Sequence, residues 1–150
     1  MKLAEALQER ADINRNIEQL KTRLSSNAIT QENESPAEDP ADLLKELDAC
    51  ISRLEELMER INRTNCMTIT DGQSLTALIA HRDCIKIRIN GYKDLVFHAS
   101  QTGRRSRGTE IKLISTVDVR TIQKQIDQLS KELRLTENKI QSLNWTVELL

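Results

Sequence analysis

Apolar residues recur at alternating spacings of three and four along most of this chain. This spacing aligns side chains on one face of an α-helix and leaves the opposite face polar. The longest register of this kind comprises Val119, Ile122, Ile126, Leu129, Leu133, Thr136, Ile140, Leu143 and Val147. The pattern therefore predicts an all-α fold built from long amphipathic helices.

Three earlier segments carry the same spacing. The first is the loosest, with Leu3, Leu7, Ile13, Ile17, Leu20 and Leu24. The second comprises Leu44, Leu47, Ile51, Leu54, Met58 and Ile61. The third comprises Leu75, Leu78, Arg82, Ile85, Ile89, Tyr92, Val96 and Ala99. We expect helices at about 2–26, 40–64, 74–100 and 116–148, packed as two antiparallel hairpins with coiled-coil-like contacts in a single domain, 1–150.

Capping residues mark where these helices begin. Asp39 precedes Pro40, which suits an N-cap acid followed by proline at the first helical position. Ser115 and Asp118 have the spacing of a capping box, so the fourth helix is expected to begin just after Ser115. Ser74 is the expected N-cap of the third helix.

The segments between the helices differ in character. Residues 27–39 are polar and acidic, which predicts a flexible loop, and residues 101–109 form a basic loop. Residues 66–70 and 110–115 alternate in polarity and contain β-branched side chains. Each is too short to be stable alone, so we expect them to pair as a small two-stranded β ribbon, or to pair with a neighbouring subunit.

The core composition points to self-association. Only three residues are aromatic, while Leu and Ile dominate the apolar set. Helical seams this long, with few large side chains to seal them, expose apolar area unless a partner covers it. We therefore expect a homo-oligomer of cyclic or dihedral symmetry. The predicted contact residues are Trp145, which is the single tryptophan, with Leu143, Ile140 and Tyr92.

A basic loop supports an alternative function. Residues 103–108 (GRRSRG) place Arg104, Arg105 and Arg107 between glycines, where their guanidinium groups could contact phosphates. The loop has no aromatic side chain to stack on a base, and the net charge of the chain is −1. An interaction or scaffold protein is therefore the preferred interpretation, and a nucleic-acid-associated protein is the alternative.

Metal and thiol chemistry have little support in the sequence. His81 and Cys84 lie three residues apart, which can place two ligands on one helix face, but two ligands do not close a site. Cys50, Cys66 and Cys84 are odd in number and have no close metal spacing, as expected of reduced thiols in a cytosolic protein. We expect no metal and no cofactor.

Catalysis and membrane insertion are also not expected. The acidic residues lie in runs typical of solvated helix faces, and no phosphate-binding glycine loop, zinc helix or nucleophile elbow is present. No stretch approaches the roughly 20 apolar residues of a membrane span, and no signal-peptide core is present. The sequence therefore predicts a cytoplasmic protein that is not an enzyme and has no small-molecule substrate.

Several short runs resemble one family. They are residues 1–7 (MKLAEAL), 37–40 (AEDP), 61–65 (INRTN), 110–112 (EIK), 115–119 (STVDV) and 143–146 (LNWT). On these runs the chain resembles a small bacterial family of unknown function, some members of which carry the name septicolysin. The resemblance implies a helical fold and no assigned chemistry. The name would imply a thiol-activated pore former that lyses membranes, but this chain departs from that class in its short length and single tryptophan.

Overall fold

The computed structural model describes residues 1–102 and 111–150, and it is built almost entirely from helices. The elements are α1 (Leu3–Ser26), α2 (Pro40–Met67), β1 (Ile69–Thr70), β2 (Gln73–Ser74), α3 (Leu75–Ala99) and α4 (Val119–Thr146). The helices pack in pairs, α1 with α2 and α3 with α4. The predicted all-α fold class is confirmed.

The start of α2 follows from its capping residues, as predicted. The Asp39 carboxylate accepts a hydrogen bond of 2.9 Å from the backbone N–H of Ala41, and Pro40 occupies the first helical position. Proline lacks an N–H, and the first turn of a helix has no partner for one.

The start of α4 differs from the prediction. The helix begins at Val119, three residues later than expected, because Asp118 is the capping residue. Its carboxylate accepts the backbone N–H groups of Arg120 and Thr121 at 3.1 and 3.3 Å. The Ser115 hydroxyl instead donates to the backbone carbonyl of Val117, so it does not cap the helix.

A two-stranded antiparallel sheet is present, but its second strand was predicted wrongly. Ile69 pairs with Ser74 and Thr70 with Gln73. Both residues of the connecting turn have positive φ, 48° at Asp71 and 77° at Gly72, as in the tight hairpin turn that suits twisted strands. A turn this short closes with far less loss of chain entropy than pairing with 110–115 would require. The described residues of that segment, 111–115, form no strand.

The chain divides into two compact units, residues 1–74 with 143–150, and residues 75–142. In the first unit α1 and α2 are antiparallel: Arg53 of α2 bonds Glu9 at 2.7 Å, and Arg23 lies 3.8 Å from Glu46. The side chains of this unit that are almost fully buried are Leu3, Ala6, Leu20, Leu57, Ile61 and Thr64. A buried leucine contributes about 1.5–3 kcal/mol relative to an exposed one, so this set carries much of the stability of the unit.

The two ends of the described chain pair within the first unit. Lys2 and Glu148 form an antiparallel β-bridge, flanked by hydrogen bonds of 2.9 Å from Leu3 N–H to the Val147 carbonyl and from Leu149 N–H to the Met1 carbonyl. The buried Thr64 hydroxyl accepts the backbone N–H of residue 150 at 3.0 Å. We call residues 1–3 and 147–150 the terminal clasp.

In the second unit, α3 and α4 meet along the predicted registers. Ile85, Ile89 and Ile126 are buried together. Half-buried residues that pack against them are Tyr92, Val96, Ile122, Leu129 and Leu133. Two polar contacts cross between the helices, a hydrogen bond between His81 and Glu132 and an ion pair between Lys86 and Glu137, each at 2.8 Å.

Candidate interaction surfaces

The residues predicted to act at a site lie in different environments. Arg104, Arg105 and Arg107 are outside the described residues. Of the predicted oligomer contacts, Ile140 is buried, Leu143 is half-buried, and Tyr92 packs against the α3–α4 core. Trp145 is 65% exposed, so its ring is accessible to a partner.

Helix α3 has an apolar face that is exposed in the part of the chain that the structure describes. This α3 outer face consists of Ala80, Cys84, Ile87, Gly91 and Leu95, which follow one another at helical spacing and are all exposed. Ile87 is 71% exposed. Since Ile85 and Ile89 are buried on the other side, α3 is apolar on two faces. A helix that is apolar on all sides is typical of the interior of an assembly.

The centre of the α3 outer face is unusually open. A Cβ added at Gly91 would meet no atom within 4 Å. Ala80 and Cys84 are also small, and small side chains let another backbone approach closely. Charged residues border the face on both sides, Asp83 and Asp94 at one margin and Arg88 at the other.

Helix α2 has a second uncovered apolar surface. We call Leu44, Ile51 and Met58 the α2 outer stripe; they lie seven residues apart and are 46–49% exposed. The side of α2 that packs on α1 is centred instead on Leu43 and Leu57, which are 3% and 0% exposed. The predicted apolar register of α2 is therefore covered along only part of its width.

Three carboxylates border the α2 outer stripe, and we call them the acidic margin. α2 carries six acidic residues, and those away from the stripe are paired: Asp42 with Lys45, Glu46 with Arg23 and Glu56 with Arg53. The three beside the stripe have no cationic partner among the residues that the structure describes, and they are Asp48, Glu55 and Glu59.

The paired carboxylates titrate differently from ordinary ones. Hydrogen bonding to Arg53 lowers the pKa of Glu56, and hydrogen bonding to Arg23 lowers that of Glu38. In the terminal clasp, hydrogen bonding to Lys2 is the main cause of a lowered pKa at Glu148. These carboxylates are therefore held in their charged form by fixed cations of the same unit.

The described residues do not gather groups suited to metal or membrane chemistry. His81 is bonded to Glu132, Cys84 is a free thiol, and no set of three His, Cys, Asp or Glu side chains within 1–102 and 111–150 could hold an ion. A groove of about 430 Å³ in the second unit is lined by apolar and polar residues, among them Leu95, Leu113 and His98. Within the same ranges, no helix is both long enough and apolar enough to cross a membrane.

Sequence reasoning missed the α3 outer face, although its signal was present. The third apolar register contains Ile85 and Ile89, and a second series at the same spacing contains Ala80, Cys84 and Ile87. Small residues carry little weight in a search for apolar stripes. The sequence also could not indicate that α1 would leave the α2 outer stripe exposed.

Comparison with known proteins identifies the family. A model described as "Family of unknown function (DUF6847)" matches residues 10–149. The chain belongs to this family. It is also similar to a functionally unknown conserved protein from Corynebacterium diphtheriae, whose crystal structure has a TM-score of 0.92 at 39% sequence identity, covering 100% of this chain and 99% of that chain. Comparison with curated proteins finds no match. These relatives assign no function to the surfaces described above.

Proposed function

We propose that this member of DUF6847 is a self-associating interaction protein, and that the α3 outer face forms the contact between copies. The observation that carries the proposal is that α3 is apolar on two opposite sides: α4 covers one, and the other is exposed in the described structure, with only Leu95 bordering the groove that Leu113 also lines. Burial of apolar area is the main favourable term in most protein association. The predicted scaffold role and the cytoplasmic location belong to this proposal.

The α3 outer face is complementary to itself when two copies run antiparallel. Centring the pair between Ile87 and Arg88 places the larger Leu95 of one copy beside the small Ala80 of the other. The same register places Cys84 opposite Gly91, so two small residues meet on each side of the centre. A two-fold contact of this kind uses the same patch on both copies and therefore closes.

The contact should be modest in strength. One helix face per copy buries less than the roughly 1,200 Å² at the lower end of stable interfaces. We therefore expect a dissociation constant in the micromolar range, and a smaller one if further surfaces join. Trp145 stays a predicted contact, and replacing it by Ala is the parallel test of that prediction.

Gly91→Gln tests the proposal because it should change folding and association in opposite directions. The position is open in the single chain, so glutamine should stabilise the helix by about 0.5–1 kcal/mol through its better helix propensity. In the assembly, the same side chain would hold the two helices apart. Sedimentation velocity should show a shift to monomer, and thermal unfolding should show an equal or higher Tm.

Leu135→Gln is the matched control. Leu135 is an exposed apolar residue of the same unit, but it lies on α4 and outside the α3 outer face. Introducing glutamine there should therefore leave association unchanged. The proposal fails if the natural chain sediments as a monomer at concentrations up to about a hundred micromolar, well above the range expected of such a contact. It also fails if Gly91→Gln and Leu135→Gln weaken association equally.

A further inference from the structure

We propose that the α2 outer stripe and its acidic margin bind a basic amphipathic helix of a partner protein. The inference does not depend on the α3 outer face, because it concerns the other compact unit and a different set of residues. It begins from the shape of the apolar area on α2. The exposed Leu44, Ile51 and Met58 continue the buried side of the helix without a polar gap, since the half-buried Leu47 and Leu54 lie between.

The spacing of the stripe suits a helix as occupant. Leu44 and Met58 are fourteen residues apart by their numbering, which corresponds to about 21 Å along the axis. A partner helix binds to an apolar surface of this kind through apolar side chains at positions i, i+3, i+4 and i+7. A strand would place its side chains with a repeat of two and would match only every second contact.

Charge decides which helix would be accepted. Asp48, Glu55 and Glu59 carry three negative charges beside the stripe, and the other three α2 carboxylates are already paired with Lys45, Arg23 and Arg53. Lysine or arginine side chains flanking the apolar residues of a partner would supply the missing cations. Electrostatic complementarity of this kind selects partners and raises the association rate.

The same charges argue against a second copy of this chain at the stripe. Antiparallel pairing of two α2 helices through Ile51 would bring the two acidic margins together, three carboxylates facing three. Like charges across an interface cost affinity and are a common means of excluding a partner. The stripe is therefore assigned to a partner of opposite charge.

A designed peptide tests the assignment on the full chain. The probe is a fluorescein-labelled helical peptide of three heptads with leucine at the a and d positions and lysine at e and g; its matched partner has glutamate in place of lysine. Fluorescence anisotropy should show binding of the lysine peptide and none of the glutamate peptide. Raising the salt from about 50 to about 300 mM should weaken binding about tenfold, because the Debye length shortens.

Two variants separate a specific site from general charge attraction. Ile51→Gln should weaken binding of the lysine peptide by about tenfold, equivalent to about 1.4 kcal/mol. The circular dichroism spectrum should remain unchanged, because the Ile51 side chain is half exposed and its replacement should not disturb the fold. Glu55→Gln/Glu59→Gln should weaken it several-fold. The matched double variant Glu32→Gln/Glu34→Gln removes the same charge from the loop before α2 and should have no effect.

Two results would overturn the assignment. If Glu32→Gln/Glu34→Gln weakens peptide binding as much as Glu55→Gln/Glu59→Gln does, the attraction is due to the net charge of the chain and not to the acidic margin. If Ile51→Gln leaves peptide binding unchanged but lowers the sedimentation coefficient of the natural assembly, the stripe is a contact between copies.

Discussion

The two units of this molecule enclose their helices to different degrees. In the first, α1 and α2 are joined by the terminal clasp, and Leu3, Leu57 and Ile61 are at most 1% exposed. In the second, Leu75 is also fully buried and Ile85, Ile89 and Ile126 are 2–5% exposed, but the residues that pack around the three isoleucines are only partly covered. Two helices can protect only the seam between them, whereas a third element allows side chains to be surrounded. The incomplete unit is accordingly the one in which we place the contact between copies.

The largest expected effect tests this difference in the cores. Leu57→Ala should lower the free energy of unfolding by about 2–5 kcal/mol, because it removes a fully buried side chain and leaves a cavity. Leu129→Ala, at a half-buried position of the second unit, should cost at least about 1 kcal/mol less, since less apolar surface is lost. Urea denaturation followed by circular dichroism measures both. Equal losses would contradict the difference in enclosure.

Replacing a buried hydroxyl should have an intermediate effect. Thr64→Val keeps the shape of the side chain but removes the oxygen that accepts the backbone N–H of residue 150. An unsatisfied buried donor costs about 1–3 kcal/mol, so we expect a loss of about 1–2 kcal/mol and faster amide exchange in residues 147–150. Thr136→Val is the control in the second unit: the Thr136 hydroxyl has no hydrogen bond among the described residues, so its loss should be nearly neutral. The prediction is wrong if the two variants behave alike.

The smallest expected effect is a dependence of the terminal clasp on pH. The pKa of Glu148 is lowered in the folded chain, so its ion pairs stabilise the clasp above the ordinary pKa of a glutamate side chain. That contribution is lost as the pH falls below the ordinary range of a glutamate side chain and through the lowered pKa. The methyl NMR signals of the buried Leu149 should shift over this range in the natural chain and respond less in Glu148→Gln. Glu137→Gln, which removes an ion pair of the second unit, should leave that response unchanged.

The features that could be predicted from the sequence are those encoded by neighbouring residues. Asp39 and Pro40 determine the start of α2 through contacts within one turn, and the third and fourth registers correctly located Ile85 and Ile126 in a core. The alternation of residues 110–115 was a weaker guide, because the turn at Asp71 and Gly72 supplied a nearer partner for β1.

The surfaces depend on which side of a helix its neighbour covers, and periodicity does not specify that. Leu44, Ile51 and Met58 belong to the same register as the buried Ile61, yet α1 packs closer to Leu57. The predicted contacts Ile140 and Trp145 differ for the same reason: Ile140 is buried within the chain, and Trp145 is exposed to solvent. Ion pairing within α2, by contrast, follows from the sequence spacing: Glu56 has Arg53 three residues before it and Arg60 four residues after it, whereas Glu55 has no cation at these spacings.

The terminal clasp also orders events on the ribosome. Residues 75–142 are contiguous, so the second unit has all of its sequence before the last residues are synthesised. The first unit is discontinuous: Leu3 and Thr64 emerge before the second unit, but Val147 and Leu149, which complete their surroundings, emerge after it. Chains fold from the N-terminus as they are made. The surface of the α1–α2 hairpin that residues 147–150 cover therefore stays exposed while the second unit is synthesised. Of the two units, the better enclosed one is thus completed after the other.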